Sequence, residues 1–317
     1  MEQTRFDVLV AGELNMDLIL NGLEDQPKTG KEILARDMTF TLGSSSAIFA
    51  CNLSTLGGQV NFIGKVGRDS FADKILQDLE KRKVSTSSIL FSDTAATGIS
   101  VALNYGLDRA MITYPGAIDE FTGADVTDEL LSTAGHLHVS SVFLQPGLRR
   151  DIYNLLARAK SIGLTTSLDP QWDPHEKWDL HLPDLLQHVD VFLPNLAEIK
   201  LLTGKGDIGS AIESIWPYAH IVVVKDGDSG AYVWDGKTLF HQRPFLNSNV
   251  VDAIGAGDSF NAGFIYKFIR HSPLQQCAEY GALTGAINTT AAGGTTAFRD
   301  YNTIRSIAAE KFNFIIP

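Results

Sequence analysis

Residues 249–270 read NVVDAIGAGDSFNAGFIYKFIR, and the order of residue types in this run decides how the rest of the chain is read. Phe260, Phe264 and Phe268 recur every four residues, which is the spacing of one apolar stripe on a helix beginning at about Asp258. Directly before it stand Gly255, Ala256 and Gly257. The first amides of a helix have no intrahelical acceptor and sit at the positive end of its dipole, and small residues leave them open to an anion. A carboxylate at that place would repel a phosphate. It fits only if it has separate work, such as receiving the proton of a hydroxyl that attacks phosphorus. Taken alone, a glycine turn and an aspartate also describe an ordinary capped helix start. The two commonest phosphate-loop patterns, GxxxxGK[ST] and a first-unit GxGxxG, do not occur.

Working outward, apolar strand-like runs at 6–14, 60–67, 134–143, 164–170, 189–195 and 220–227 alternate with helical patterns at 45–57, 69–83, 148–162 and 196–203. This alternation predicts an α/β fold with a mostly parallel sheet covered by helices on both faces, and a site at the carboxyl ends of its strands. Segments 15–42 and 94–114 break the rhythm and read as a small β-sheet standing off the core as a lid. No repeat or linker divides the 317 residues, so one domain over 1–317 is expected.

Composition narrows the function classes. The net charge of −11, with no clustered Lys or Arg, disfavours nucleic acid as a partner. No apolar run approaches membrane-spanning length, and Glu2 and Asp7 interrupt the start where a leader would need a basic end and an apolar block, so a cytoplasmic location is expected. Cys51 and Cys277 sit in apolar helical surroundings and read as buried free thiols. His136, His138 and His175 have no metal-ligand spacing.

The stretch VVDAIGAGDSFNAGF resembles the C-terminal signature of the ribokinase-like (PfkB) family of sugar and nucleoside kinases, D-T-x-G-A-G-D-x-F-x-A-G-F. The likeness extends in order through VAGELNMDLIL, GGQVNFIGKVGRDSFADKILQDL, PNLAEIKLLTG and VVVKDGDSGAYV, nearly the whole chain. It implies a three-layer α/β sandwich with a β-sheet lid, and ATP-dependent transfer of the γ-phosphate to a hydroxymethyl group of a small sugar or sugar derivative. On this resemblance Asp258 is the catalytic base, and the amides of Gly255, Ala256, Gly257 and Asp258 form the anion hole. Asn195 and Glu198, which by themselves read as half a capping box, match N-x-x-E and would place Mg²⁺ through water. Lys225 and Gly227 would approach phosphates or ribose, and Asn288 the adenine. Asp252 occupies the position of a monovalent-cation ligand, which implies K⁺ as a candidate.

For the acceptor, Asn15 and Asp17 match N-x-D, and Asp17 is suited to gripping two hydroxyls at once. The usual G-G-x-x-x-N is altered: Gly43 is kept, Ser44 replaces the second glycine, and Ile48 stands where an asparagine is usual. Arg109, on the lid, could reach an acidic group of the acceptor. Relatives pair their lids, so a homodimer is implied. A nucleoside kinase of the same family and a non-catalytic nucleotide- or sugar-binding protein are the alternatives. A dehydrogenase lacks its glycine fingerprint.

Overall fold

The computed structural model describes residues 6–105 and 108–316, with the side chains of 108 and 109 outside the description. Eight strands form the central sheet. From edge to edge they are Leu239–Gln242, Ala231–Trp234, Ile221–Lys225, Val191–Phe192, Thr165–Asp169, Ala134–Ser140, Phe6–Ala11 and Val60–Ile63. The six from Ile221–Lys225 to Val60–Ile63 are parallel, and an antiparallel hairpin adds the last two.

The strand runs are continuously apolar because both faces of the sheet are covered. Alternate side chains point to opposite faces. Leu9, Leu137, Leu168 and Phe192 thus meet Ile152, Leu155 and Leu156 of the helix Pro146–Ile162, with Ile199, Ile212 and Ile215 alongside. Val8, Val10, Phe62 and Val223 face the other layer, built from Phe49, Leu53, Ile75, Leu79, Phe260 and Phe264. These come from the helices Ser45–Thr55, Ser70–Lys81 and Ala256–Phe268. Three layers result, as expected for this strand pattern.

Residues 15–42 and 94–114 contribute a second sheet of four strands in the order Asp37–Leu42, Asn15–Asn21, Gly98–Tyr105, Asp108–Tyr114. Its register gives it two chemically distinct faces. Rows Thr41/Asp17/Ser100/Thr113 and Thr39/Ile19/Ala102/Met111 lie on one side. Rows Phe40/Leu18/Val101/Ile112 and Met38/Leu20/Leu103/Ala110 lie on the other. On the apolar side Met38 and Ile112 are 60% and 64% exposed, so the core does not cover it.

The strand boundaries are shorter than the apolar runs suggest. The first strand stops at Ala11, and the chain leaves the central sheet at 12–14 to enter the second sheet at Asn15. Hydrophobicity continues across that passage because both sheets bury it.

Candidate active site

The helix carrying Asp258 runs Ala256–Phe268 and is capped by Gly255 in a left-handed conformation, φ 75°. It therefore starts two residues before the expected Asp258. The reason is steric: the turn needs a positive φ, which glycine adopts freely, and a Cβ there would lie 2.6 Å from the Gly294 Cα. Asp258 is the third residue of the first turn and its side chain is not a cap. Ala256 N–H donates to the Ala253 carbonyl at 3.2 Å, while among the described residues the Gly257 and Asp258 amides meet no protein acceptor. Those two amides, Gly255 and the Asp258 carboxyl all line one cleft of about 770 Å³ between the second sheet and the carboxyl ends of the central strands.

Asp258 is buried, and that burial, with the nearby Asp169 charge second, pushes its carboxyl up to about 7. Gln171 Nε2 donates to Asp258 Oδ1 at 2.9 Å and to Asp169 Oδ2 at 3.2 Å. Lys225 Nζ lies 2.5 Å from Asp169 Oδ2 and also donates to Asn261 Oδ1, whose amide returns to Asp169. Lys225, expected to approach phosphates or ribose, has its ammonium engaged within the protein. Its ammonium is tied to the buried Asp169 carboxylate, and the residue borders the cleft. Gly227 borders the same wing of the cleft.

Asn195 and Glu198 form a complete capping box at the helix Leu196–Thr203. Asn195 Oδ1 accepts from Glu198 N–H at 2.9 Å, and the Glu198 carboxylate accepts from Asn195 N–H at 2.8 Å and Asn195 Nδ2 at 2.6 Å. Both also line the cleft, and burial, followed by the Asp169 charge, raises Glu198 to about 7. The capping box itself thus borders the cleft.

Asn288 and Asp252 both bond within the protein. Asn288 is fully buried, its Nδ2 donating to the Ile254 carbonyl at 2.6 Å and its Oδ1 accepting from Ser259 at 3.0 Å. Both ends of the amide brace the loop before the helix, and Asn288, expected near adenine, does not line the cleft, whereas its neighbours Ala286 and Thr289 do. Asp252 accepts from Ile254 N–H and Gly293 N–H, each at 2.9 Å, and thereby joins the loop to the 293–294 segment.

On the opposite wing, Asn15 Nδ2 donates to Asp17 Oδ1 at 2.8 Å and Ser100 Oγ at 3.2 Å, and Ser100 is 2.9 Å from Thr113 Oγ1. Gly43 is required by close approach: a Cβ would fall 2.2 Å from Asp17 Oδ1. Ser44 has φ 68°, which explains why glycine suits this position. Its hydroxyl caps the helix Ser45–Thr55 by accepting from Ala47 N–H at 2.9 Å and donates to the Glu13 carbonyl at 2.6 Å. Ile48 abuts the backbone of Gly255 and Gly294 and lines the cleft. Arg109 pairs with Asn104 on the last lid strand, and its side chain lies outside the described residues.

Glu13, Ser141, Gln171 and Trp172 are among the cleft residues that the sequence reading did not single out. Glu13 is buried, which raises its carboxyl, and accepts from Ser46 Oγ at 2.5 Å. Gln171 and Trp172 stand on a loop after the strand Thr165–Asp169 in which Gln171, Glu176 and Trp178 all have positive φ. Asp173 holds the loop by accepting from the amides of His175, Lys177 and Trp178 at 2.9, 2.9 and 2.8 Å. Non-glycine residues in this region of φ cost about 1–2 kcal/mol each, so the loop's shape is over-determined by these bonds. The one available signal was DPQWDP at the end of a parallel strand, the place where sites gather.

Comparison with known proteins bears on this geometry. A family model described as pfkB family carbohydrate kinase matches residues 5–300. The chain is 30% identical over 270 residues to a Bacillus subtilis 2-dehydro-3-deoxygluconokinase, covering 80% of this chain and 83% of that protein. It is 29% identical over 269 residues to a Lactococcus lactis ribokinase, covering 82% of each. The structure of an Arabidopsis thaliana ribokinase complexed with ribose and ATP superposes with a TM-score of 0.84 at 21% identity, covering 95% of this chain and 97% of that one.

Proposed function

The chain belongs to the pfkB family of carbohydrate kinases, and on that premise we propose that it moves the γ-phosphoryl group of ATP onto a hydroxymethyl group of a small sugar or sugar derivative. As a member of that family it is an ATP-dependent phosphotransferase acting on sugars. The observation that carries the finer reading is the placing of the uncovered Gly257 and Asp258 amides, the Asp258 carboxyl and the hydroxyl-lined lid face around one cleft.

The acceptor lies between the lid row Asp17/Ser100/Thr113 and the loop bearing Gln171 and Trp172, with Asp17 accepting from its hydroxyls. Its reacting hydroxyl faces Asp258, which takes the proton as the oxygen attacks phosphorus. Gln171 holds the Asp258 carboxylate toward the cleft through the 2.9 Å hydrogen bond. The amides of the helix start face the oxygens of the transferring group, where charge shifts in the transition state. The nucleotide occupies the other wing, past Glu198 and Gly227 toward Phe245, Leu246 and Ala286.

Among the described residues no three His, Cys, Asp or Glu side chains converge as a direct metal cage. A lone buried Glu198 beside Asn195 fits Mg²⁺, which retains waters and leans on few carboxylates plus phosphates. When bound, the ion would neutralise phosphate charge, and Asn195 and Glu198 would hold its waters. Asp252 and the carbonyls of the loop it braces are the proposed contacts for K⁺; turnover in potassium against choline salts tests this. The exposed apolar lid face supports a homodimer through the lid. No helix among the described residues is long and apolar enough to cross a membrane, and a cytoplasmic location is proposed. A nucleoside acceptor is the second reading, favoured by the apolar Ile48 and Trp172 in the acceptor wing.

The test is ATP consumption by the purified protein with Mg²⁺ and a panel of sugars and nucleosides, the product identified by phosphorus NMR. A new phosphomonoester with matching ADP is expected. ATP binding without any phosphorylated acceptor would refute the reading.

A further inference from the structure

The helix Ser45–Thr55 turns one face to the glycine turn before Asp258. Ile48 and Asn52, four residues apart, share that face. Ile48 abuts Gly255 and Gly294, and Asn52, fully buried one turn later, ties the same region by hydrogen bonds. Its Nδ2 donates to the Gly294 carbonyl and to Ser259 Oγ, each at 2.9 Å. A carbonyl only accepts, so the amide nitrogen must lie on this side.

Ser259 passes the contact on. Its Oγ lies 2.7 Å from the Gly255 carbonyl and 3.0 Å from Asn288 Oδ1, and its one proton is directed to these two because the Asn52 amide already donates to it. Asn288 Nδ2 in turn donates to the Ile254 carbonyl at 2.6 Å. The carbonyls of Ile254 and Gly255 are thus both drawn into the protein by a chain of side chains that ends at Asn52. In a trans peptide the N–H points opposite to the C=O. An inward Ile254 carbonyl therefore turns the Gly255 N–H outward, where among the described residues it meets no protein acceptor. Gly255 lines the cleft.

Asn52 is not placed for stability alone. Its Oδ1 is buried and meets no donor among the described residues, and an amide oxygen buried in that way is destabilising. The two bonds from Nδ2 are what the residue contributes, and both lead to the glycine turn.

We propose, resting on the kinase reading above, that Asn52 is a positioning residue for phosphoryl transfer. Through Ser259 and Gly294 it sets how the amides of Gly255, Gly257 and Asp258 face the transferring group. It does not line the cleft itself, so it acts only through these partners. Donors around a transition state must be aligned closely, and a displacement of about 1 Å costs on the order of 100-fold in rate.

The experiment compares the full-length parent with Asn52→Leu, Ser259→Ala and the double variant. ADP-coupled rates are measured with the panel acceptor of highest kcat/KM. Hydrogen–deuterium exchange of peptides covering 249–262 is followed without any ligand. Asn52→Leu should lower kcat by about 10- to 100-fold, with both KM values within about twofold of the parent, because the lost alignment matters in the transition state. Exchange at the turn should quicken by about threefold or more. The double variant should lose no more than the worse single one, since both act along one chain of bonds. A folded Asn52→Leu protein with the parent's kcat, a rise in acceptor KM alone, or multiplicative losses in the double variant would overturn the inference. Should Asn52→Leu melt more than about 10 °C below the parent, Asn52→Ala takes its place under the same criteria. A parent that phosphorylates no sugar or nucleoside refutes the kinase reading; quickened exchange in Asn52→Leu would still support the inference, and unchanged exchange would overturn it.

Discussion

Asp258→Asn separates two consequences of one buried carboxyl. The structure places the group under cover, beside Asp169 and Glu13, with its carboxyl raised from 3.8 to about 7. A raised pKa means that the folded state holds the proton more tightly than the unfolded state. Between about pH 4 and pH 7 the native protein is therefore protonated where the unfolded chain is not, and stability falls as pH rises through that window. The shift of roughly 3 units corresponds to about 4 kcal/mol, an upper bound on what the ionised group costs the fold at pH 8. Asparagine keeps the shape and an acceptor for Gln171 Nε2 but carries no charge. For a chain of this size about 4 kcal/mol is roughly 6 °C in Tm. The variant should thus melt several degrees above the parent at pH 8, with the difference shrinking toward pH 4.5, while its phosphoryl transfer drops by roughly 10²- to 10⁴-fold, the range for loss of a general base. Thermal melts across pH, read beside ADP-coupled rates, give both numbers. An unchanged Tm at pH 8 would refute the electrostatic argument, and retained turnover would remove Asp258 from the proton transfer.

In the parent, kcat/KM should fall about tenfold per pH unit below about 7, as Asp258 takes up its proton. Gln171→Leu removes a donor that favours the ionised form, so that acid limb should move up by about half a unit or more; a pH–rate profile with an unmoved limb would make Gln171 a space filler. Gly43→Ala drives a methyl into Asp17 and should raise the acceptor KM by about 10- to 100-fold, with the ATP KM nearly unchanged in the same assay. Ser44 has an unfavourable φ offset by its cap. Ser44→Ala should cost about 1 kcal/mol in denaturant unfolding, whereas Ser44→Gly should match or exceed the parent, because it relieves the strain.

The layers were legible because the physics that makes them is local. Val8/Val10 against Leu9/Ala11, and Phe260, Phe264 and Phe268 at intervals of four, encode in short windows which faces are buried. The glycine-capped helix start was legible for the same reason, since Gly255, Gly257 and Asp258 stand close together in sequence. What stayed hidden was assembled from distant segments. Asp169 is one aspartate among many until the fold sets it against Lys225 and Asn261, 56 and 92 residues away. Glu13 sits within an apolar stretch and gives no sign that Ser46 will meet it. Asn288 is next in sequence to the cleft-lining Thr289, yet its rotation about the helix Leu274–Asn288 turns it inward. Hydrogen bonding of that kind has no sequence period.

The lid sheet turns Asp17, Ser100 and Thr113 to the cleft on one side and shuns water on the other. Such a leaf is poorly suited to solitary life. If a twin shields its greasy back, each cleft owes the firmness of its roof to a neighbour, and turnover per molecule becomes a matter of crowd size: ample in a concentrated stock, waning on extreme dilution before any fold is lost.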